Sequence, residues 1–178
     1  MILTKTQLAN IFPTCNGEKI DIFLPFLNEF MAMYGITTYE RICAFLAQVG
    51  HESGSLKYTE EIASGSAYEG RKDLGNTEIG DGKRFKGRGL IQITGRANYT
   101  QLAKVWNDNE ILTNPTKLAE PELATKSACW WWQNRGLNAL ADIPTDDNFR
   151  KITKKINGGY NGYDDRKTRW QKIKIILK

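Results

Sequence analysis

Apolar side chains recur at helical spacing along most of the chain. The run from Ile20 to Tyr34 repeats every three or four positions and is closed by Gly35, which predicts a helix. Pro25 falls within this run, and we expect it near the first turn because proline removes a backbone donor that a helix interior needs. A second helix is predicted to start with a capping box formed by Thr37 and Glu40. Its buried stripe consists of Ile42, Phe45, Leu46 and Val49.

Four later segments show the same periodicity, and Gly136 and Gly158 are predicted to stop two of them. The segments are 99–106, 121–133, 147–156 and 165–177. Residues 63–95 differ, because they are rich in Gly, Ser, Asn and Asp and show no helical pattern. Only 90–94 alternates, which predicts a short strand with Gln92 and Thr94 on one face. The pattern indicates one mainly helical domain over residues 1–178, with a small β-sheet or hairpin.

Composition excludes several classes of protein. No apolar run is long enough to span a membrane, and the first residues lack the pattern of a secretory signal, so we expect synthesis in a cytoplasm. Three scattered cysteines suggest no disulfide framework; Cys43 and Cys129 are expected in the core and Cys15 in a loop. A single histidine, His51, excludes a multi-histidine metal site, and we expect no metal and no cofactor.

The balance of charge favours an acidic partner. The net charge is +5, with a mild excess of basic residues between Arg150 and Lys178. An anionic cell surface and nucleic acid are both compatible with this charge. The basic residues near the C-terminus share a helical pattern, so we interpret them as a solvated helix face. No nucleic-acid-binding motif is present, and we expect no nucleic-acid partner.

Two glutamates are candidates for acid–base chemistry. Glu52 follows the apolar stripe of the second predicted helix by one turn, which places it near the edge of the core. Partial burial favours the protonated form of a carboxyl group, as a general acid requires. Glu61 lies nine positions further on, and the Gly54 break lets the chain turn to bring it back. Spacing alone does not separate Glu61 from Glu60, or either from an ordinary surface acid.

Several sequence segments occur in the same order as in one enzyme family. They are 48–54, 68–71, 74–77, 80–82, the fifteen residues 85–99, and 156–159, 161–162 and 165–166. This succession resembles the family 19 glycoside hydrolases, in particular the compact chitinase-like endolysins of phages and prophages. The resemblance runs from about Leu8 to Trp170 and implies a lysozyme-like fold of two helical lobes with a small hairpin beside the cleft.

The resemblance also implies roles for individual residues. Glu52 corresponds to the general acid and Glu61 to the base that activates water, in the inverting arrangement of two separated carboxylates. Thr94 stands where plant members carry a serine that holds this water. The other implied site residues are Gln92, Asn98, Asn157 and Arg166 as substrate or acid-pair contacts. His51 and Tyr58 are also expected among the water-positioning and substrate-binding residues.

His51 and the tryptophan run each have two interpretations. His51 is interpreted as a structural hydrogen-bonding partner beside Glu52 or as a direct influence on its acidity. Three consecutive tryptophans, Trp130 to Trp132, cannot share one helix face, so at least two are expected to pack in the core.

The preferred hypothesis is an endolysin that cleaves β-1,4 bonds of peptidoglycan, because the chain is basic and lacks the loops of plant chitinases. Chitin is the alternative substrate, and a non-catalytic glycan-binding module is a further alternative. The chain is expected to be a monomer without stable membrane association, released from the host cytoplasm through a pore made by a separate protein.

Overall fold

The computed structural model describes residues 1–178 and is mainly α-helical. No helix is both long enough and apolar enough to cross a membrane. Three short 3-10 helices cover Ser66–Tyr68, Lys72–Leu74 and Pro115–Ala119. The α-helices are α1 (Lys5–Ile11), α2 (Gly17–Met33), α3 (Tyr39–Glu52), α4 (Asp81–Arg84), α5 (Arg96–Trp106), α6 (Glu110–Thr113), α7 (Pro121–Asn134), α8 (Leu137–Ala141), α9 (Asp146–Asn157) and α10 (Tyr163–Ile176).

The helix starts differ in detail from the pattern-based predictions. Pro25 lies in the middle of α2 and not near its first turn, because α2 begins at Gly17 with the Asn16 side chain accepting from the Lys19 amide. The predicted capping box at Thr37 is also wrong. Thr38 is the residue that caps α3, and its hydroxyl accepts a hydrogen bond from the Arg41 amide at 3.3 Å.

The larger lobe is built from α1–α3 and α7–α10. Helix α3 packs along α10, and α2 packs along α7. The 39 buried apolar residues form one cluster that continues from this lobe into the hairpin, α5 and α6. Trp130 and Trp132 are buried in this core and Trp131 is half-buried, which confirms the expectation for the tryptophan run. Cys43 and Cys129 are buried as predicted, and Cys15 lies in a loop, where burial raises the pKa of its thiol.

The smaller lobe is formed by the polar segment that follows α3, together with α4–α6. Its only β-structure is a pair of isolated antiparallel bridges, Glu60 with Arg88 and Arg88 with Ile93. The predicted strand over 90–94 is wrong, because residues 89–92 form the tight loop of a minimal hairpin closed by Arg88 and Ile93. Gln92 has φ of +59°, a left-handed conformation that is uncommon for a residue with a side chain and incompatible with a strand.

Candidate active site

Glu52 is the last residue of α3, where a tight reversal turns the chain away. Gly54, Ser55 and Leu56 all have positive φ, and the Ser53 hydroxyl accepts from the Leu56 amide at 2.8 Å. Leu56 is completely buried and anchors the reversal in the core. The predicted break after Glu52 is therefore present, and the Glu52 side chain is left 16% exposed at the edge of the core.

Arg166 holds one oxygen of Glu52. This arginine, on α10, is fully buried and donates to Glu52 Oε1 at 2.5 Å and to Gln48 Oε1 at 2.6 Å. Gln48 Nε2 in turn donates to the Thr153 hydroxyl at 2.9 Å, and Arg166 Nε donates to the Asn161 carbonyl at 3.3 Å. A buried guanidinium is tolerated only when its donors are paired, and these contacts pair them. Glu52 Oε2 accepts no hydrogen bond from the protein.

Glu61 is held by hydrogen bonds to Tyr68 and to residues of the hairpin. Its Oε1 accepts from the Tyr68 hydroxyl at 3.0 Å, and its Oε2 accepts from the Gly87 amide at 3.2 Å. Its own amide donates to the Gly87 carbonyl at 2.9 Å, and Lys86 Nζ donates to its carbonyl at 2.8 Å. Burial raises the pKa of Tyr68, and the hydrogen bond to Glu61 raises it further, so the phenol remains a donor at neutral pH.

Glu60 has a different environment from its neighbour. Its Oε1 lies 3.0 Å from two nitrogens of Arg88 and 3.3 Å from Lys86 Nζ. Arg88 is buried and also donates to the Arg84 carbonyl and the Tyr99 hydroxyl, which itself donates to the Lys86 carbonyl. Glu60 is thus part of an ion-pair cluster that joins the Glu61 segment to the hairpin.

Three polar side chains converge on Gly87. A Cβ added to this glycine would lie 2.9 Å from Gln92 Oε1 and 3.2 Å from both Glu61 Oε2 and Thr94 Oγ1. Because Gly87 has no side chain, these three oxygens can approach its backbone closely, and any larger residue would collide with them.

Local contacts explain why Gln92 and Thr94 meet although no strand aligns them. The Thr94 hydroxyl donates to the Gln92 carbonyl at 3.0 Å, and Gln92 Nε2 donates to the Gly89 carbonyl at 3.1 Å. Asn98 Nδ2 donates to the Thr94 carbonyl at 2.7 Å, which fixes the hairpin against the start of α5. Left-handed backbone at non-glycine residues concentrates at functional sites, and Gln92 fits that tendency.

His51 contacts α10 and not Glu52. Its Nδ1 lies 2.7 Å from Asp165 Oδ2, which also accepts from Arg169 Nε at 2.7 Å. Burial raises the pKa of Asp165, but the hydrogen bonds from Arg169 and His51 outweigh it and leave the pKa below its usual value. The imidazole ring also packs against Gly162, where any Cβ would clash with it at 2.1 Å.

The two remaining candidates lie apart from these clusters. Tyr58 is 40% exposed, and its ring covers Gly54 at the reversal after α3. Asn157 is the last residue of α9 and is exposed, with no hydrogen bond from its side chain to the protein. The structure therefore brings Glu61, Gln92, Thr94 and Asn98 together, and Glu52 with Arg166.

Several residues of this site were not singled out from the sequence. Gln48 is buried and contacts Arg166. It could have been recognised in the sequence as a polar residue one turn before Glu52 on an otherwise apolar helix face. Tyr68 and Gly87 lie inside the matching segments, but only the folded chain shows that both contact Glu61.

Comparison with known proteins identifies the family to which the chain belongs. Residues 20–141 match the family model described as chitinase class I, of glycoside hydrolase family 19. The chain belongs to glycoside hydrolase family 19. A family 19 domain-containing protein of Haemophilus influenzae is 33% identical, with 68% of this chain and 72% of that protein covered. The endochitinase At2g43620 of Arabidopsis thaliana is 38% identical over 86% of this chain, which spans about half (52%) of that relative.

Solved structures of family 19 enzymes share the fold. Chitinase C from Streptomyces griseus superposes with a TM-score of 0.78 at 23% identity, covering 99% of this chain and 76% of that one. The class IV chitinase from Zea mays gives a TM-score of 0.63 at 23% identity over 99% of this chain and 82% of that chain. These matches confirm the expected mainly helical, lysozyme-like fold. Together with the family match, they identify the chain as a glycoside hydrolase.

Proposed function

We propose that the chain is an inverting endo-hydrolase of β-1,4 bonds in bacterial peptidoglycan, with Glu52 as general acid and Glu61 as general base. The observation that carries the proposal is the contrast between the two carboxylates. Glu52 keeps one oxygen free of hydrogen bonds from the protein, and Glu61 Oε2 converges with Gln92 Oε1 and Thr94 Oγ1 beside Gly87. An inverting glycosidase needs a proton donor for the leaving oxygen and a base for the attacking water.

Glu52 is suited to donate the proton. The bond from Arg166 Nη2 fixes Oε1, so that Oε2 remains available to the leaving glycosidic oxygen. Gln48 holds Arg166 from behind, which keeps the carboxyl group from rotating. Arg166 is accordingly a positioning residue.

Glu61 is suited to accept a proton from water. A water that approaches Glu61 Oε2 has two further possible partners close by, Thr94 Oγ1 and Gln92 Oε1, since all three oxygens converge near Gly87. Thr94 donates its own hydroxyl proton to the Gln92 carbonyl, so its oxygen is free to accept from that water. Glu60 cannot easily take this role, because both of its cationic partners would lose their pairing.

The charge of the chain supports peptidoglycan as the polymer. The net charge of +5 favours an anionic wall. In this role the protein acts as a monomeric endolysin, made in the host cytoplasm and released by a separate pore-forming protein.

Chitin is the second candidate. The names of the relatives favour it, since those in Arabidopsis thaliana, Oryza sativa and Zea mays are endochitinases or chitinases. Chitin and peptidoglycan share N-acetylated sugars in β-1,4 linkage, so the same acid pair serves either polymer.

Digestion of both polymers tests the proposal. Purified peptidoglycan and chitin are incubated separately with the wild-type protein and with Glu52→Gln, and the released fragments are identified by mass spectrometry. We expect wild-type protein to release disaccharide-containing fragments from peptidoglycan faster than from chitin, and Glu52→Gln to release almost none. Release from chitin alone would reverse the choice of polymer, and full activity of Glu52→Gln would contradict the assignment of the acid.

A further inference from the structure

The positive charge of the molecule is concentrated in its last two helices. Residues 146–178 contain ten lysines and arginines and four aspartates, a net charge of +6, whereas the whole chain carries +5. All of the excess positive charge therefore belongs to α9, α10 and their connections, and the rest of the chain is close to neutral. A solvated helix face does not by itself require this asymmetry.

Ion pairs neutralise α10 much more than α9. On α10, Arg166, Lys167, Arg169 and Lys174 each contact a carboxylate. On α9, only Lys151 does so, through an exposed pair with Asp147. Arg150, Lys154 and Lys155 are exposed and have no carboxylate partner. The charges of Arg150, Lys154 and Lys155 are therefore not offset by a salt bridge, whereas the charge of Lys151 is shared with Asp147.

The lysines of α9 border a surface groove. A groove of about 380 Å³ lies between α8 and the second half of α9, and it is lined by Leu140, Lys151, Lys154, Lys155 and Gly158. The lining is almost entirely apolar, so the lysines face the groove with their methylene groups. Lys155 Nζ donates to the Arg135 carbonyl at 3.0 Å. The three lysines are exposed on the α9 surface around the groove, where their charges raise the local concentration of anions.

An exposed tyrosine continues this surface toward the candidate active site. Tyr160 is 45% exposed, with the Arg150 guanidinium 4.5 Å and the Lys154 ammonium 5.9 Å from its ring centre. In the same loop, the Asn161 carbonyl accepts from Arg166, and Gly162 packs against His51. The basic groove is thus linked by five residues, 158–162, to the helix end that carries Glu52.

We propose that the basic groove of α9, formed by Lys151, Lys154 and Lys155, binds the carboxylates of peptide stems on a peptidoglycan strand. The inference rests on the proposed function, because it assumes that the polymer in the cleft is peptidoglycan. Charge complementarity selects the partner: peptide stems carry free carboxylates, whereas chitin is neutral. Binding beside the cleft raises affinity for the charged polymer and leaves the chemistry at Glu52 and Glu61 unchanged.

Binding and turnover of charged and neutral substrates test this proposal. The triple variant Lys151→Gln/Lys154→Gln/Lys155→Gln removes three charges from the groove. Lys72→Gln/Lys83→Gln/Lys104→Gln removes three charges from exposed positions of the smaller lobe and is the matched control. Both sets are combined with Glu52→Gln, so that binding to insoluble peptidoglycan, stripped of phosphate polymers, is measured by co-sedimentation without digestion.

We expect the groove variant to bind peptidoglycan about tenfold more weakly than the control at low ionic strength, with the difference shrinking as salt is added. With Glu52 intact, both triple variants should cleave neutral chitin oligosaccharides at the same rate. Equal binding of the two variants to peptidoglycan would contradict the role proposed for the groove. So would a groove variant that loses the same fraction of its activity on peptidoglycan and on chitin oligosaccharides. Failure of the wild-type protein to cleave peptidoglycan would instead overturn the choice of polymer, which separates the two claims.

Discussion

The two candidate catalytic carboxylates are positioned by different kinds of structure. Glu52 ends a long helix that packs in the main core, and its partner Arg166 is fully buried among α3, α9 and α10. Glu61 lies in a segment of turns, and hydrogen bonds from Tyr68 and Gly87 hold it in place. The position of the acid therefore depends on core packing, and the position of the base depends on local polar contacts.

Because of this difference, substitutions near the two carboxylates should change stability and activity in different proportions. Changes behind Glu52 should reduce both, because they leave buried charged or polar groups without partners. Changes around Glu61 should reduce activity with a smaller loss of stability, because its contacts are single hydrogen bonds between partly exposed turns and involve no fully buried charge.

The largest effect is expected from the carboxylates themselves. Glu52→Gln and Glu61→Gln should each lower kcat by about three orders of magnitude, since each removes one proton-transfer group. Glu29→Gln, on an exposed face of α2, is the matched control and should retain full activity. Rates on purified cell walls provide the measurement, and an active Glu61→Gln would refute the assignment of the base.

Arg166→Gln should unfold more easily as well as lose activity. It removes a fully buried cation and leaves Glu52 and Gln48 without their partner. Loss of one member of a buried pair typically costs about 3–5 kcal/mol in the free energy of unfolding. Urea denaturation measures the loss. A stability equal to that of wild type would show that the Glu52 region does not depend on buried pairing.

Gly87→Ala is expected to lower activity without a comparable loss of stability. Its methyl carbon would lie 2.9 Å from Gln92 Oε1 and 3.2 Å from both Glu61 Oε2 and Thr94 Oγ1, so these groups would have to move away from the positions in which we expect them to hold the attacking water. A small displacement of reacting groups can cost about a hundredfold in rate. Gly17→Ala, which meets no atom within 4 Å, serves as the control. Wild-type activity of Gly87→Ala would show that the three oxygens converging near Gly87 do not hold the attacking water.

Glu60→Gln should produce a moderate loss, clearly smaller than that of Glu61→Gln. Its charge pairs with Arg88 and Lys86, which connect the Glu61 segment to the hairpin. We expect about a tenfold lower kcat with little change in KM, because the base is displaced while the substrate contacts remain. Steady-state kinetics measure the two constants. Equal losses in the Glu60 and Glu61 variants would mean that the base is misassigned.

The smallest effect concerns the pH dependence of the smaller lobe. A hydrogen bond from Arg96 lowers the pKa of buried Asp81 against the opposing effect of burial. Because the folded pKa lies below the ordinary value of 3.8, ionised Asp81 stabilises the fold above that pH. This stabilisation disappears as the pH falls through the lower folded value. Asp81→Asn should therefore be less stable than wild type at neutral pH.

The difference between Asp81→Asn and wild type should shrink when urea denaturation is repeated in acid, below the folded pKa of Asp81. A difference that persists unchanged in acid would mean that the ionised carboxylate is not what stabilises the lobe.

Much of the helical part of the fold could be predicted from the sequence, because the periodicity of apolar residues reflects which helix face is buried. The pattern located α3, its end at Glu52 and the break at Gly54. It misplaced Pro25, because the packing of α2 tolerates a proline that local propensity disfavours. Alternation over 90–94 was misleading, since the left-handed Gln92 creates a loop that no periodicity encodes.

Only part of the candidate site could be predicted from the sequence. Spacing could not separate Glu60 from Glu61, because neighbouring glutamates look alike until their partners are known. The structure pairs Glu60 with Arg88 and Glu61 with Tyr68, and those partners lie 28 and 7 positions away along the chain. Contacts of this kind depend on how the turns fold and carry no local sequence signature.

The anomeric configuration of the first product tests the central claim most directly. Proton NMR during the first minutes of β-1,4 cleavage, before mutarotation, identifies the new reducing end. An acid at Glu52 and a water activated by Glu61 on the opposite face of the sugar predict the α-anomer. Initial release of the β-anomer would contradict an inverting mechanism and the roles proposed for this pair.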